Sequence, residues 1–132
     1  MKIISANKKC CLSITPQGDG AGYSSFEIEV LITLGCSSFH TKHSDMQLLR
    51  IAQFAENLDR FVTDRSLTPS LEGIYDSHLT FRTAGPHVKL EFLIGDRITG
   101  DPTCYGINGA FEIDQSYLNE YVAGFRNLSL SV

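Results

Sequence analysis

Ser44-Asp45-Met46-Gln47-Leu48-Leu49-Arg50-Ile51-Ala52-Gln53-Phe54-Ala55-Glu56-Asn57-Leu58-Asp59-Arg60-Phe61-Val62 is the one long run whose apolar residues keep a helical period. Set at helical spacing, Leu48, Ile51, Ala52, Phe54, Ala55, Leu58, Phe61 and Val62 share one side, while Arg50, Gln53, Glu56, Asn57 and Arg60 take the other. Ser44 with Gln47 three residues on has capping-box spacing, Asp45 suits the positive end of a helix dipole, and Glu56 with Arg60 is a favourable i,i+4 pair. The stretch therefore predicts one long helix over 44–62, and its wide apolar arc predicts that the helix lies across a sheet. Asp59 falls inside that arc near the negative end of the dipole, where a carboxylate needs compensation. It reads as a buried or half-buried anchor paired with an arginine or a loop amide, ahead of a partner contact.

Strands surround this helix in the sequence. From Phe26 the alternation is strict, with Phe26, Ile28, Val30, Ile32 and Leu34 on one side and Glu27, Glu29 and Thr33 on the other, as in a half-buried strand. Leu31 breaks the polar side, so another strand, a loop or a second molecule covers part of it. Upstream, Lys2 to Ala6 and Lys9 to Thr15 read as short strands, the second with Cys10, Leu12 and Ile14 together. Pro16-Gln17-Gly18-Asp19-Gly20-Ala21-Gly22 reads as a hairpin connection. It lacks the dinucleotide fingerprint, since the position three after Gly20 is Tyr23 and no helical period follows.

Downstream, Thr68-Pro69-Ser70 marks a loop and Leu71 to Tyr75 a brief edge pairing. Both arms of Leu79 to Thr83 and Val88 to Ile94 alternate, and Ala84-Gly85-Pro86-His87 between them has turn chemistry, which predicts an antiparallel hairpin with Arg82, Lys89 and Glu91 facing outward. Gly95-Asp96-Arg97 and Gly100-Asp101-Pro102 bracket a mobile connection. A further strand carries Tyr105, Ile107, Phe111 and Ile113 on one side, with Gly106 and Gly109 pointing to a bulge or a close backbone contact. Asp114 is a plausible cap for a second, short helix with Leu118, Tyr121, Val122 and Phe125 at i, i+3, i+4 and i+7. The tail from Leu128 adds a last strand or frays. The fold class expected is α+β: a single domain over residues 1–132 in which a curved antiparallel sheet wraps one long central helix, with a second short helix near the C-terminus.

A chain of 132 residues suits one core. Eleven Lys and Arg against 15 Asp and Glu give a net charge of −4, which argues against nucleic-acid binding and makes a charge-steered partner basic. The apolar run Met1 to Ala6 is too short for a signal peptide or membrane span, so a cytoplasmic protein without membrane contact is expected. The adjacent Cys10 and Cys11 with distant Cys36 and Cys104 form neither a disulfide framework nor Cys-x-x-Cys zinc spacing, so reduced, mostly buried thiols are expected. Asn127-Leu128-Ser129 matches the glycosylation sequon by chance.

Candidate chemistry is thin. His40 and His43 lack the i,i+4 spacing that places two imidazoles on one helical face, and no second cluster supplies further ligands, so a polar strand-to-helix loop is expected there and no metal. No Ser, Cys or His sits in a nucleophile signature. Glu27 and Glu29, two apart on a strand, are a paired-carboxylate candidate that solvated alternation explains more simply. No catalytic, cofactor-binding or metal residue is assigned.

Leu48-Leu49 and Phe54-Ala55-Glu56-Asn57-Leu58 on a helix are followed by Leu79-x-Phe81, by Gly85-Pro86-His87-Val88-Lys89-Leu90, and by Phe111-Glu112-Ile113-Asp114-Gln115-Ser116-Tyr117-Leu118. This succession resembles the WapI-type bacterial immunity proteins and their uncharacterised relatives over residues 26 to 128. Asp114-Gln115-Ser116-Tyr117-Leu118, which looks like the family's strand-to-helix junction, is the most specific piece. The resemblance implies an antiparallel sheet curved around the long helix. It also implies a non-enzymatic binding role without cofactor, in which the chain occludes a basic toxin domain. Glu27, Glu29, Leu31, Glu91 and Leu93, with Arg82, then make an outward face mixing acidic and apolar groups, as an interface can. Two alternatives stay open: a small-ligand-binding or enzymatic domain with a pocket between sheet and helix near His40, His43 or Asp59, and a homodimer joined through Leu31 and Leu93 instead of a monomer.

Overall fold

The structure, a computed structural model, describes residues 1–18, 25–97 and 104–131. The inner part of the expected Pro16 to Gly22 connection, and the segment around Gly100-Asp101-Pro102, lie outside the described residues. The first half of the chain is a meander of β1 (Lys2–Ile4), β2 (Cys10–Gln17), β3 (Ser25–Leu34) and β4 (Ser37–Met46), hydrogen-bonded antiparallel in chain order. Alternation decides which side is inward: Ile3, Cys10, Leu12, Ile14, Phe26, Ile28 and Val30 are all buried. Of the expected row on β3, Leu34 runs past the core and stays exposed.

The segment expected to be a polar loop and then a helix start is strand β4. Phe26 faces Met46 and Ile28 faces His43, so Ser44 and Asp45 together oppose Glu27 in a bulge, with Asp45 in the left-handed region at φ 57°. The Asp45 amide donates to Gln17 Oε1 at 2.9 Å. Because of the extra residue, His43 and Met46 both turn inward although they are three apart. That spacing imitates a helical one. Ser44, Gln47 and Asp45 therefore form no helix cap, and Leu48 belongs to a strand.

The second half begins with β5 (Leu48–Leu49) and continues through α1 (Ile51–Thr63), β6 (Ser70–Gly73), β7 (His78–Ala84), β8 (His87–Arg97) and β9 (Cys104–Ile113) to a 3-10 turn (Gln115–Tyr117) and α2 (Leu118–Ser129). Strands β5 to β9 form a five-stranded antiparallel sheet, again in chain order. The expected hairpin is β7–β8, turned by Gly85 at φ 59°, a conformation glycine adopts without strain. Among the described residues the backbones of the two sheets meet where Ser5 bridges Ile113 and the Ala6 amide donates to the Glu112 carbonyl at 2.8 Å.

The described residues thus form an α+β fold with two antiparallel sheets and two helices. The single curved sheet around one long central helix is overturned. Helix α1 has 13 residues and starts only after Arg50, whose left-handed φ of 54° closes the strand before it. Tertiary pairing of Leu48 and Leu49 with Gly73 and Glu72 outweighed the helical propensity of those residues. Ile51, Phe54, Ala55, Leu58 and Phe61 are its buried face, whereas Ala52 is exposed.

Helix α2 buries Leu118, Tyr121, Val122, Phe125 and Leu128. Phe125 stands edge-on to Phe54 at 4.8 Å between ring centroids and to Phe81 at 6.4 Å, so one aromatic trio ties both helices to the second sheet. The Tyr121 hydroxyl accepts the Ile4 amide at 3.3 Å and ties α2 to β1. Burial pushes the Tyr121 phenol pKa up. Across the outside of the two helices, Arg126 Nη2 bonds Asp59 at 3.1 Å and Glu56 at 3.2 Å. Asp59 has the arginine partner its position called for, but at an exposed site rather than a buried one. Since exposed pairs contribute little and Arg126 keeps Glu56, Asp59→Asn is expected to move the thermal midpoint by less than about 2 °C. A larger loss in calorimetry would mean that the pair holds the helices together.

Two Asp-x-Ser turns flank the helices. Asp114 caps the 3-10 turn by accepting the Ser116 amide at 3.0 Å and the Ser116 hydroxyl at 2.8 Å, and Asp64 accepts the Ser66 amide at 3.1 Å and hydroxyl at 2.6 Å. These bonds hold both carboxyls below the usual range, Asp114 chiefly through the Ser116 amide and Asp64 chiefly through the Ser66 hydroxyl. Folding lowers their pKa, so their stabilisation is complete above the unfolded value of about 3.9 and is lost as pH falls through the folded values. The urea midpoint should drop below about pH 4, and an Asp64→Asn, Asp114→Asn double variant should show a flatter acid limb. An unchanged limb would mean that the two turns do not persist in solution.

Candidate interaction surface

The outward face of the first sheet is built by three strands in register. Glu27, Glu29 and Leu31 of β3 lie between Thr15, Ser13 and Cys11 of β2 on one side and Lys42 and His40 of β4 on the other. Lys42 Nζ reaches both carboxylates, at 3.7 Å from Glu27 and 3.5 Å from Glu29, and His40 Nε2 lies 3.3 Å from Glu29. The bond from His40 is the chief reason that the Glu29 carboxyl sits below its usual range. Both carboxylates are half-open to solvent, beside a Leu31 that is 44% exposed.

Glu91 and Leu93 lie elsewhere, on β8 of the second sheet, where Glu91 pairs with Arg82 at 3.3 Å and Leu93 faces His78 and Asn108. The single outward face expected from sequence is therefore two faces: Glu27, Glu29 and Leu31 come together, Glu91 and Leu93 come together, and the two groups sit on different sheets. His40 and Lys42 were missed as members of the first face. Strand β4 carries Phe39, Thr41 and His43 on one side and Ser38, His40 and Lys42 on the other, a polar pattern without the apolar alternation that marks a strand.

The other candidate residues hold no converging chemistry. An odd spacing on one strand puts His40 outward and His43 inward, and among the described residues no three His, Cys, Asp or Glu side chains group as metal ligands would. His43 is 4% exposed, stacks on Tyr105 at 5.5 Å, and shares a hydrogen bond with Thr41 at 3.2 Å. The cavity beside it holds about 30 Å³, far below ligand size. Between α1 and β6 lies a crevice of about 200 Å³ lined by Arg50, Gln53, Phe54, Asn57, Ser70 and Glu72. Cys10 is buried and Cys11 half-buried, but Cys36 is exposed in the β3–β4 turn, so the thiols are less sheltered than expected. No helix among the described residues is long and apolar enough to cross a membrane. No protein family matches this sequence, and no curated protein or solved structure is similar to it.

Proposed function

We propose that this protein is a non-catalytic binding protein of the immunity type, which neutralises a bacterial toxin by covering a basic surface of the toxin domain with the outward face of its first sheet. The observation that carries this reading is the Glu27–Glu29–Leu31 row: two carboxylates and an exposed leucine held in strand register, on a chain of net charge −4. An acidic and apolar face of this kind steers a basic partner and then desolvates against it. The resemblance of the Asp114 to Leu118 junction to the WapI-type immunity proteins supports the same reading.

The test is co-expression with a toxin-like domain, sought first in the reading frames next to this one. The chain should restore growth and form a stable complex with that domain. Glu29→Lys should slow association about tenfold at low salt, because a like charge then meets the basic partner. Glu91→Lys, on the other sheet, should leave the rate unchanged. An unprotected host, or a complex that Glu29→Lys leaves intact, would refute the assignment.

A further inference from the structure

Strand β9 is the outer strand of the second sheet, and on its side away from β8 the backbone bonds among the described residues are at its end, in the Ser5–Ile113 bridge and the bond from the Ala6 amide to the Glu112 carbonyl. That bond fixes the orientation of the whole strand. Along an antiparallel strand the peptide groups of successive residues point alternately to the two neighbours. With Glu112 turned away from β8, the residues facing Leu90, Phe92 and Ile94 (Phe111, Gly109 and Ile107) bond to β8. The amides and carbonyls of Gly106, Asn108 and Ala110 then point outward in one row, and no described strand pairs with them.

In front of this row runs a groove of about 510 Å³, walled on its far side by Cys10, Ile32 and Leu34. The β3–β4 hairpin overhangs the core here. Leu34 is 69% exposed and Phe39, paired with Ile32, is 49% exposed, although all three belong to the inward side of their sheet. Glu112 lies at the same groove, with His87 Nδ1 at 3.7 Å.

We propose that the groove takes up one extended segment of a partner protein, which adds a strand to β9 and alternates apolar with basic side chains. A row of outward amides and carbonyls at strand spacing is matched by another extended backbone, the basis of β-strand addition. Side chains of such a strand alternate between two faces. One set meets the apolar wall of Ile32 and Leu34, and the other lies on the side of Asn108 and Glu112, where a lysine or arginine finds a carboxylate. Gly106 and Ala110 keep the approach free of bulk. A second copy arriving through its own β9 would bring β8 with it, and a groove walled on both sides admits a strand rather than a sheet edge. This surface is separate from the Glu27–Glu29–Leu31 row, and either assignment can fail without the other.

The test uses a synthetic heptapeptide, acetyl-Lys-Val-Lys-Val-Lys-Val-Thr-amide, and a copy N-methylated at every backbone nitrogen, which keeps the side chains and loses the donors. Nuclear magnetic resonance of the whole chain should show shifts at Gly106, Asn108 and Ala110, with amide exchange there slowed roughly tenfold by the parent peptide. The methylated copy should bind at least about tenfold more weakly. Asn108→Pro removes a donor from the free edge without breaking a sheet bond, so it should keep the unfolding midpoint and weaken the peptide by a similar factor. Equal binding of the methylated copy, shifts confined to other residues, or no shift at millimolar peptide would overturn the proposal. So would a concentration-dependent dimer that Asn108→Pro abolishes, since the occupant would then be a second copy.

Discussion

Phe125→Ala is expected to destabilise the protein by about 3–5 kcal/mol, enough to remove most of the stability of an ordinary domain. The ring is fully buried and stands edge-on to both Phe54 of α1 and Phe81 of β7. Removing it takes away apolar area and also leaves a void that three separate elements would have to move to fill. A strand or helix on its own can shift, but α1, α2 and the second sheet are each held by other contacts, including Arg126 to Glu56 and Asp59 and Gln115 to the Pro86 carbonyl. Collapse is therefore incomplete and the cavity cost is retained. Urea unfolding followed by circular dichroism measures it: the midpoint should fall with an unchanged slope if the native state survives. Phe125→Leu, which keeps much of the volume, should recover a large part of the loss. A cost under about 1 kcal/mol would mean that the trio is not the joint between helices and sheet.

Gly109→Val should destabilise by about 1–3 kcal/mol, whereas Gly106→Val, three residues away on the same strand, should be neutral or stabilising by up to about 1 kcal/mol. A side chain at 109 would place its Cβ 2.7 Å from Phe92 Cζ and 3.1 Å from Cε2. Phe92 is the direct cross-strand partner of Gly109, and its ring lies over the bare backbone, an aromatic covering of a glycine. The ring is buried beside Phe111 at 6.2 Å and cannot swing aside without disturbing the core. At 106 the nearest atoms lie at 3.6 to 3.8 Å, ordinary contact distance, so valine there gains strand propensity without a clash. Opposite signs at the two positions in thermal unfolding would verify the packing of β8 on β9. The same sign at both would contradict it.

Much of this architecture was legible from local pattern. The β7–β8 hairpin declared itself because both arms alternate around Gly85, and α2 did so through Leu118, Tyr121, Val122 and Phe125 behind a capping aspartate. The close contact at Gly109 was visible as a glycine inside an otherwise apolar alternation. What failed was the boundary at Ser44. The bulge turns His43 and Met46 inward together at a spacing of three, and Leu48, on a short strand, stands three before Ile51 and four before Ala52, so sheet residues prolong the period of α1 backwards. Only the strand partners Phe26 and Gly73, remote in sequence, distinguish the two, and a local period does not contain them. The candidate face was half legible for a related reason. Glu27, Glu29 and Leu31 stand out against an apolar row, but Lys42 and His40 sit on a strand without one, and nothing local tells that Glu91 belongs to a different sheet.

Within each sheet the strands lie side by side in the order in which they are linked, and the Ser5–Ile113 contact joins the two. Every neighbouring pair except β5–β6, which is linked through α1, can therefore close over a short connection, at small entropic cost, before any distant part of the polypeptide is in place. The slow event in refolding should be the docking of the two preformed meanders, with Ser5 meeting Ile113 late. Substitutions at that seam should speed unfolding far more than they slow folding.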